Sequence, residues 1–285
     1  MTQEIDGHTK ALGLIGSPVS HSMSPAFHNA SFEKLGINAV YLAYNVSPEG
    51  LEDTVNALRE MGFAGYNVGV PHKKKIIPLL DVVDEGAKLM NAVNTVCIKN
   101  GKSIGYNTDG LGFTEALRNH HINPRNLRAV IADIDAEGSA YTAQLALEGA
   151  RHISVLTEST QVDAIRSRMV HLSARTGCTI DVYDIEDTSS YSVNLSLAQV
   201  YCNATSIGKK PFIEQTPLPT TLLHADLTVM DAVYSPRYTQ LINDAVMAGC
   251  RTINGLELLL NQAALAEKIW LGCEMPIAYL KQRFF

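Results

Sequence analysis

Short apolar runs closed by glycine or polar turn residues alternate along this chain with segments that carry helix punctuation. The alternation occurs in two successive series, which leaves little choice of fold class. In the first series ALGLIG (11–16), AVYLAYNV (39–46) and FAGYNVGV (63–70) read as strands. Between them SPAFHNASFEKLG (24–36) opens on a Ser N-cap and a Pro and closes on Gly, as a helix should. LEDTVNALREMG (51–62) has the spacing of a second helix, and HKKKIIPLLD (72–81) of a short one cut by Pro78. NTVCIKNGKSIGYN (94–107) predicts strands on either side of Asn100-Gly101, a hairpin signal.

TDGLGFTEALRNHH (108–121) reads as a connecting helix with Asp109 near its start, and NPRN (123–126) breaks the chain. The second series then runs RAVIAD, a helix over about 138–148, HISVLT, a helix over 161–175, and CTIDVYD. QVYCNAT and LTVMDAV follow as strands, and TQLINDAVMAG, GLELLLNQAALAEKIWLG and PIAYLKQRF as helices. Strands separated by helices favour mainly parallel sheets, so the expectation is an α/β protein of two units joined near residue 108.

Composition narrows the function classes. The 285 residues are 46% apolar and 18% charged, enough for a substantial core, and the formal charge of -6 argues against nucleic acid, which selects basic surfaces. The N-terminus lacks the apolar stretch of a secretory signal, and no apolar run approaches the roughly 18 residues that span a bilayer. Five cysteines, scattered and never spaced as CxxC, speak against a disulfide framework or a zinc site and for a reducing, cytoplasmic setting. The nine histidines show no metal-ligand spacing, so no metal is expected, and there is neither a P-loop nor a GxSxG motif.

Several polar clusters carry possible chemistry. Ser22 and Ser24 stand at a predicted helix N-terminus, where free N–H groups attract an anion; Ser24 could equally be a plain cap. Lys73 opens a run of three lysines and stands nearest a strand's C-terminal end, where open α/β sheets place ligands. A lysine desolvated there could exchange a proton, whereas Lys74 and Lys75 suit a solvated patch. Asn107 and Asp109 lie in a turn at the junction of the units, either in a cleft or as helix-capping residues. Asn94 offers a neutral hydrogen-bonding group.

Taken jointly, IGSPVSHSMSPAFHN, NVGVPHK, NAVNT, GYNTDG, NATSIG (203–208), DAVYSPRYTQLINDAVMAGC (231–250) and GLELLLNQAA (255–264) resemble the shikimate/quinate dehydrogenase family in order and spacing over almost the whole chain. The resemblance implies a substrate domain over 1–108, to which helices of 255–285 return, and a Rossmann-like doubly wound dinucleotide domain over 109–254. It implies reversible hydride transfer between a ring hydroxyl carbon of a shikimate- or quinate-like small molecule and NAD or NADP, by a monomer or homodimer without nucleic-acid or membrane partners. Ser22 and Ser24 would hold the substrate carboxylate. Lys73 and Asp109 would handle the hydroxyl proton. Asn94 and Gln262 would bind ring hydroxyls, with Tyr234 near the cleft.

Three departures stand out. Gly69 replaces the family's usual Thr or Ser beside the substrate, which predicts altered or relaxed ring specificity. DIDAEG (133–138) lies where the family has a glycine-rich loop, so that Asp133, Asp135, Ala136 and Gly138 would face the cofactor together with Glu158 and Thr205. An aspartate about 4 Å from a phosphate at an effective dielectric near 20 costs of order 4 kcal/mol, nearly a thousandfold in affinity. Glu158 follows HISVLT at the place where NADP users carry an Arg, and an acid there suits a ribose 2′-hydroxyl, favouring NAD. Two functions follow: an NAD-favouring dehydrogenase with an unusual phosphate loop, or a non-redox binding homologue that holds shikimate-like ligands without a nucleotide.

Overall fold

The structure, a computed structural model, describes residues 5–132 and 136–284. The chain forms two compact units, Met1–Thr108 with Gln262–Phe285, and Asp109–Asn261.

In the first unit the elements follow as β1 (Lys10–Gly16), α1 (Ser24–Leu35), β2 (Ala39–Asn45), α2 (Leu51–Glu60), β3 (Gly65–Val68), β4 (Val82–Val83), α3 (Glu85–Met90), β5 (Thr95–Lys99) and β6 (Lys102–Tyr106). They build a six-stranded sheet in the order β2-β1-β3-β5-β6-β4. β2, β1 and β3 run parallel, and the β5–β6 hairpin adds antiparallel pairings. The hairpin turns at Asn100 and Gly101, both with positive φ, which these two residue types tolerate. On one face α2 buries Leu51, Val55 and Leu58, an i, i+4, i+7 stripe, against Ile15, Tyr66 and Val68. On the other face Phe32 of α1 joins Leu12, Tyr41 and Trp270. Gly65 is required there: a Cβ would lie 2.3 Å from the Trp270 ring, whose Nε1 donates to Val96 O at 2.9 Å.

Residues 72–81 do not form the expected helix; they make turns and one 3₁₀ turn, Ile77–Leu79. The reason is local. Pro78 brings no N–H, the buried His72 ring bonds Val46 O at 2.8 Å, and Lys73 O accepts from Val93 N–H at 2.8 Å.

The second unit begins in α4 (Thr108–Asn119) and continues as β7 (Arg128–Ala132), α5 (Ala136–Leu147), β8 (His152–Thr157), α6 (Val162–Thr176), β9 (Thr179–Asp184), α7 (Thr188–Ser196), β10 (Val200–Asn203), β11 (Thr228–Asp231), α8 (Gln240–Met247) and β12 (Arg251–Ile253). Its sheet is parallel throughout, in the order β12-β11-β10-β7-β8-β9. Strand order, not strand direction, reverses between β7 and β10, so the carboxyl ends of those strands flank a topological switch point. Its core gathers Val130, Leu156, Tyr201 and Val229 with Leu195 and Leu241.

α9 (Gly255–Leu271) and α10 (Ile277–Phe284) complete the chain. The units divide inside α9 at 261/262, not at 254/255 as the sequence suggests. The first turns of α9 are held within the second unit: a Cβ on Gly255 would meet Ala232 O at 2.5 Å, and His120 lies 3.2 Å from Glu257. Among the described residues no helix is long and apolar enough to cross a membrane.

Candidate active site

In the first unit the carboxyl ends of β1 and β3 meet the start of β5, and backbone bonds knit the segments together. Gly69 N–H donates to Ile15 O, Ser17 N–H to Val70 O, Val68 N–H to Asn94 O and Asn94 N–H to Tyr106 O, at 2.8–3.0 Å. Ser22, Ser24, Gly69, Lys73 and Asn94 all lie on these segments.

Ser24 is not the N-cap of α1. Met23 occupies that position without a side-chain cap bond, and Ser24 is the first helical residue, with Pro25 after it. Ser22 Oγ instead accepts from Ser24 N–H at 3.2 Å, satisfying one of the helix's orphan donors. Ser24 is buried and its side chain hydrogen-bonds Tyr41. Burial nevertheless holds the Tyr41 hydroxyl well above its ordinary pKa, so it remains a neutral donor.

Asn94 is held by a polar network. Its Oδ1 accepts from Thr108 N–H at 2.7 Å and lies 3.0 Å from the Thr95 hydroxyl; its Nδ2 donates to Thr108 Oγ1 at 3.0 Å. Thr108 Oγ1 lies 3.4 Å from Gln262 Oε1 on α9. Behind them Asn67 Nδ2 donates to Thr95 Oγ1 at 3.0 Å, and the Tyr41 hydroxyl donates to Asn67 Oδ1 at 2.7 Å. Tyr41, Asn67, Thr95 and Thr108 thus fix the two carboxamides singled out in the sequence, and the sequence reading missed all four. Asn67 could have been noticed as a polar residue within an apolar strand.

The three lysines separate clearly. Lys73 is 7% exposed, while Lys74 and Lys75 are exposed. Gly69 has no conformational need to be glycine, because its φ lies outside the left-handed region. A Cβ there would make only ordinary contacts, the nearest being Ile15 O at 3.5 Å. Its missing side chain leaves room beside the strand end.

In the second unit Asp109 is half-buried in the first turn of α4. Tyr234 is half-buried, and burial followed by the Glu137 charge raises its pKa. The switch point lies between the ends of β7 and β10. Asp133 and Asp135 fall outside the described residues. α5 begins at Ala136, carries exposed Glu137 in its first turn, and buries Gly138. The Arg168 guanidinium reaches Ser139 Oγ at 3.3 Å. Glu158 is exposed, in extended backbone directly after β8. Thr205 closes a turn after β10, its hydroxyl donating to Asn203 Oδ1 at 2.7 Å. A switch point with a helix N-terminus, an acid after the second strand and a hydroxyl after the fourth fits a dinucleotide. Glu137 is the one acid in the first turn of α5.

Residues 14–96 match the family model described as the shikimate dehydrogenase substrate binding domain. The shikimate dehydrogenase (NADP(+)) of Alkaliphilus metalliredigens is 40% identical over 99% of this chain and 98% of its own length. The chain belongs to the shikimate dehydrogenase family. Shikimate 5-dehydrogenase of Listeria monocytogenes, solved with shikimate and NAD, superposes with a TM-score of 0.95 at 37% identity, over 100% of this chain and 99% of that one. 5-ketofructose reductase of a Gluconobacter strain, solved in its ligand-free form, has a TM-score of 0.87 at 28% identity, with 97% of this chain and 98% of that one covered.

Proposed function

We propose that the chain is an oxidoreductase that moves hydride reversibly between a ring hydroxyl carbon of a shikimate- or quinate-type carboxylate and a nicotinamide dinucleotide, with NAD preferred over NADP. The first unit supplies the substrate site and the second the dinucleotide site. Family membership over the full chain supports the reaction class. Among the local features, the one that carries the reading is the withdrawal of Lys73 from solvent beside two exposed lysines.

In this reading Ser22 and Ser24 bind the carboxylate next to the first N–H groups of α1. Asn94 and Gln262 bind ring hydroxyls. Such a ligand needs several fixed partners, since a buried polar group left unpaired costs about 1–3 kcal/mol. Lys73 and Asp109 are assigned the hydroxyl proton and its oxygen, and Tyr234 a part in substrate binding. The bound nicotinamide supplies the hydride acceptor. Glu158 would take ribose hydroxyls and disfavour a 2′-phosphate, Thr205 would be a further cofactor contact, and the α5 N-terminus with Ala136 and Gly138 would take the pyrophosphate, against the charge of Glu137, Asp133 and Asp135. Room at Gly69 admits a ring substituent that a Thr would exclude.

The test is turnover of the purified protein with shikimate or quinate and either NAD or NADP, followed by the absorbance of reduced nicotinamide. Saturable reduction, with higher kcat/KM for NAD, is expected. Shikimate binding without any nucleotide response would establish the non-redox binding homologue instead, the reading that the acid at α5 favours.

A further inference from the structure

At the carboxyl ends of β10 and β11 the chain leaves neighbouring strands in two loops, 204–208 and 232–239, and one buried carboxylate joins them. Asn203 and Asp231 are register partners, and Asp231 is fully buried. Its Oδ1 accepts from Asn203 Nδ2 at 2.9 Å and from Val233 N–H at 3.0 Å, and its Oδ2 from the Thr239 hydroxyl at 2.5 Å. Thr239 is also the N-cap of α8, accepting from Ile242 N–H. On the other loop Asn203 Oδ1 accepts from both the N–H and the hydroxyl of Thr205, while its Nδ2 donates to Ile207 O. Gly208, at φ +100, passes so near that a Cβ would lie 3.3 Å from Thr239 Cγ2.

No cation contributes to the environment of Asp231 among the described residues; hydrogen bonds alone favour its charge, and burial pushes its pKa up to about 6. The titratable groups that feel its charge are Tyr141, Tyr201 and Cys202, all kept neutral by burial, and Glu137 acts on two of them, Tyr141 and Cys202. An isolated buried carboxylate is a costly fastener when a neutral side chain could serve. Its position suggests what it is kept for: the two loops carry Thr205 and Tyr234.

We propose that Asp231 is a positioning residue whose ionised carboxylate locks these two loops together, so that dinucleotide binding depends on its charge. Protonation removes the charge assistance from three hydrogen bonds at once. The dinucleotide part rests on the proposed function; the locking of the loops does not.

The test has two arms on the full-length protein. NAD titrated by calorimetry should bind roughly threefold to tenfold more weakly at about pH 5 than at about pH 8. Asp231→Asn should already bind roughly tenfold more weakly at about pH 8, with little further change on acidification. In the second arm, limited trypsinolysis read by mass spectrometry should cut Asp231→Asn several-fold faster after Arg237, inside the second loop, while cleavage after Lys99 in the β5–β6 turn is unchanged. Thr239→Val should reproduce the effect more weakly, and Thr239→Ser should restore wild-type behaviour. If Asp231→Asn does not fold, the wild-type pH series and Thr239→Val decide. Equal NAD affinity and equal cleavage after Arg237 across the pH range and the variants would overturn the proposal. If NAD binds no form, the crevice reading fails, and the Arg237 cleavage rates alone decide the lock.

Discussion

The strand ends of the first unit and the first turn of α5 in the second carry opposite chemistry. Around Ser22, Ser24 and Asn94 the donors are neutral and held by a network from Tyr41 to Gln262, with a buried lysine on the neighbouring segment. At the start of α5 the first turn carries Glu137, preceded in sequence by Asp133 and Asp135. In the proposed function the first region receives a carboxylate, and the acids at the second oppose a phosphate. The contrast teaches that recognition carried by side chains and recognition carried by the backbone of a helix start can change independently.

The largest expected effects test whether Lys73 and Asp109 are catalytic. Lys73→Ala and Asp109→Ala should each lower kcat by roughly 10²–10⁴ with little change in melting temperature, the range of general acid–base catalysis. A fully active Lys73→Ala variant would break the contrast at its strong side, and a fully active Asp109→Ala variant would remove the acid from the proposed pair. Next, Asp133→Gly combined with Asp135→Gly should tighten NAD binding in calorimetry by about a hundredfold, since each repulsion is worth up to about 4 kcal/mol before solvent screening. Asn94→Ala should raise KM for shikimate roughly fivefold to a hundredfold, equivalent to about 1–3 kcal/mol, with a smaller change in KM for NAD. Glu158→Arg should shift the NADP-to-NAD ratio of kcat/KM by about tenfold toward NADP, read from paired steady-state assays. Smallest is Gly69→Thr, which the free space at its Cβ tolerates; KM for shikimate should change by about threefold to tenfold, the worth of one hydrogen bond.

Much of the fold was legible because local chemistry and tertiary demand agree. Gly36 ends α1 in the left-handed region, and Asn100-Gly101 turns the hairpin. β4, α3, α7 and β12 were not legible. Arg251–Ile253 is too short to show periodicity, and TSSYSVNLS buries only Tyr191 and Leu195. Residues 72–81 carry a helical pattern that Pro78 and the engaged backbone of Lys73 override. Within the site, the lysine could be singled out by its place after a strand and the serines by theirs before a helix. Asp231 could not, because an acid after an apolar strand looks like an ordinary turn residue until its partners are seen to come from both flanking loops.

The central proposal is that the second unit binds a dinucleotide at the β7/β10 switch point and that Glu137, Asp133 and Asp135 weaken that binding. Calorimetric titration of NAD into the wild-type chain and into the Asp133→Gly, Asp135→Gly variant tests it most directly. Saturable binding to both, markedly tighter in the variant, is the predicted result. Absence of binding to both, with shikimate still bound, would contradict it.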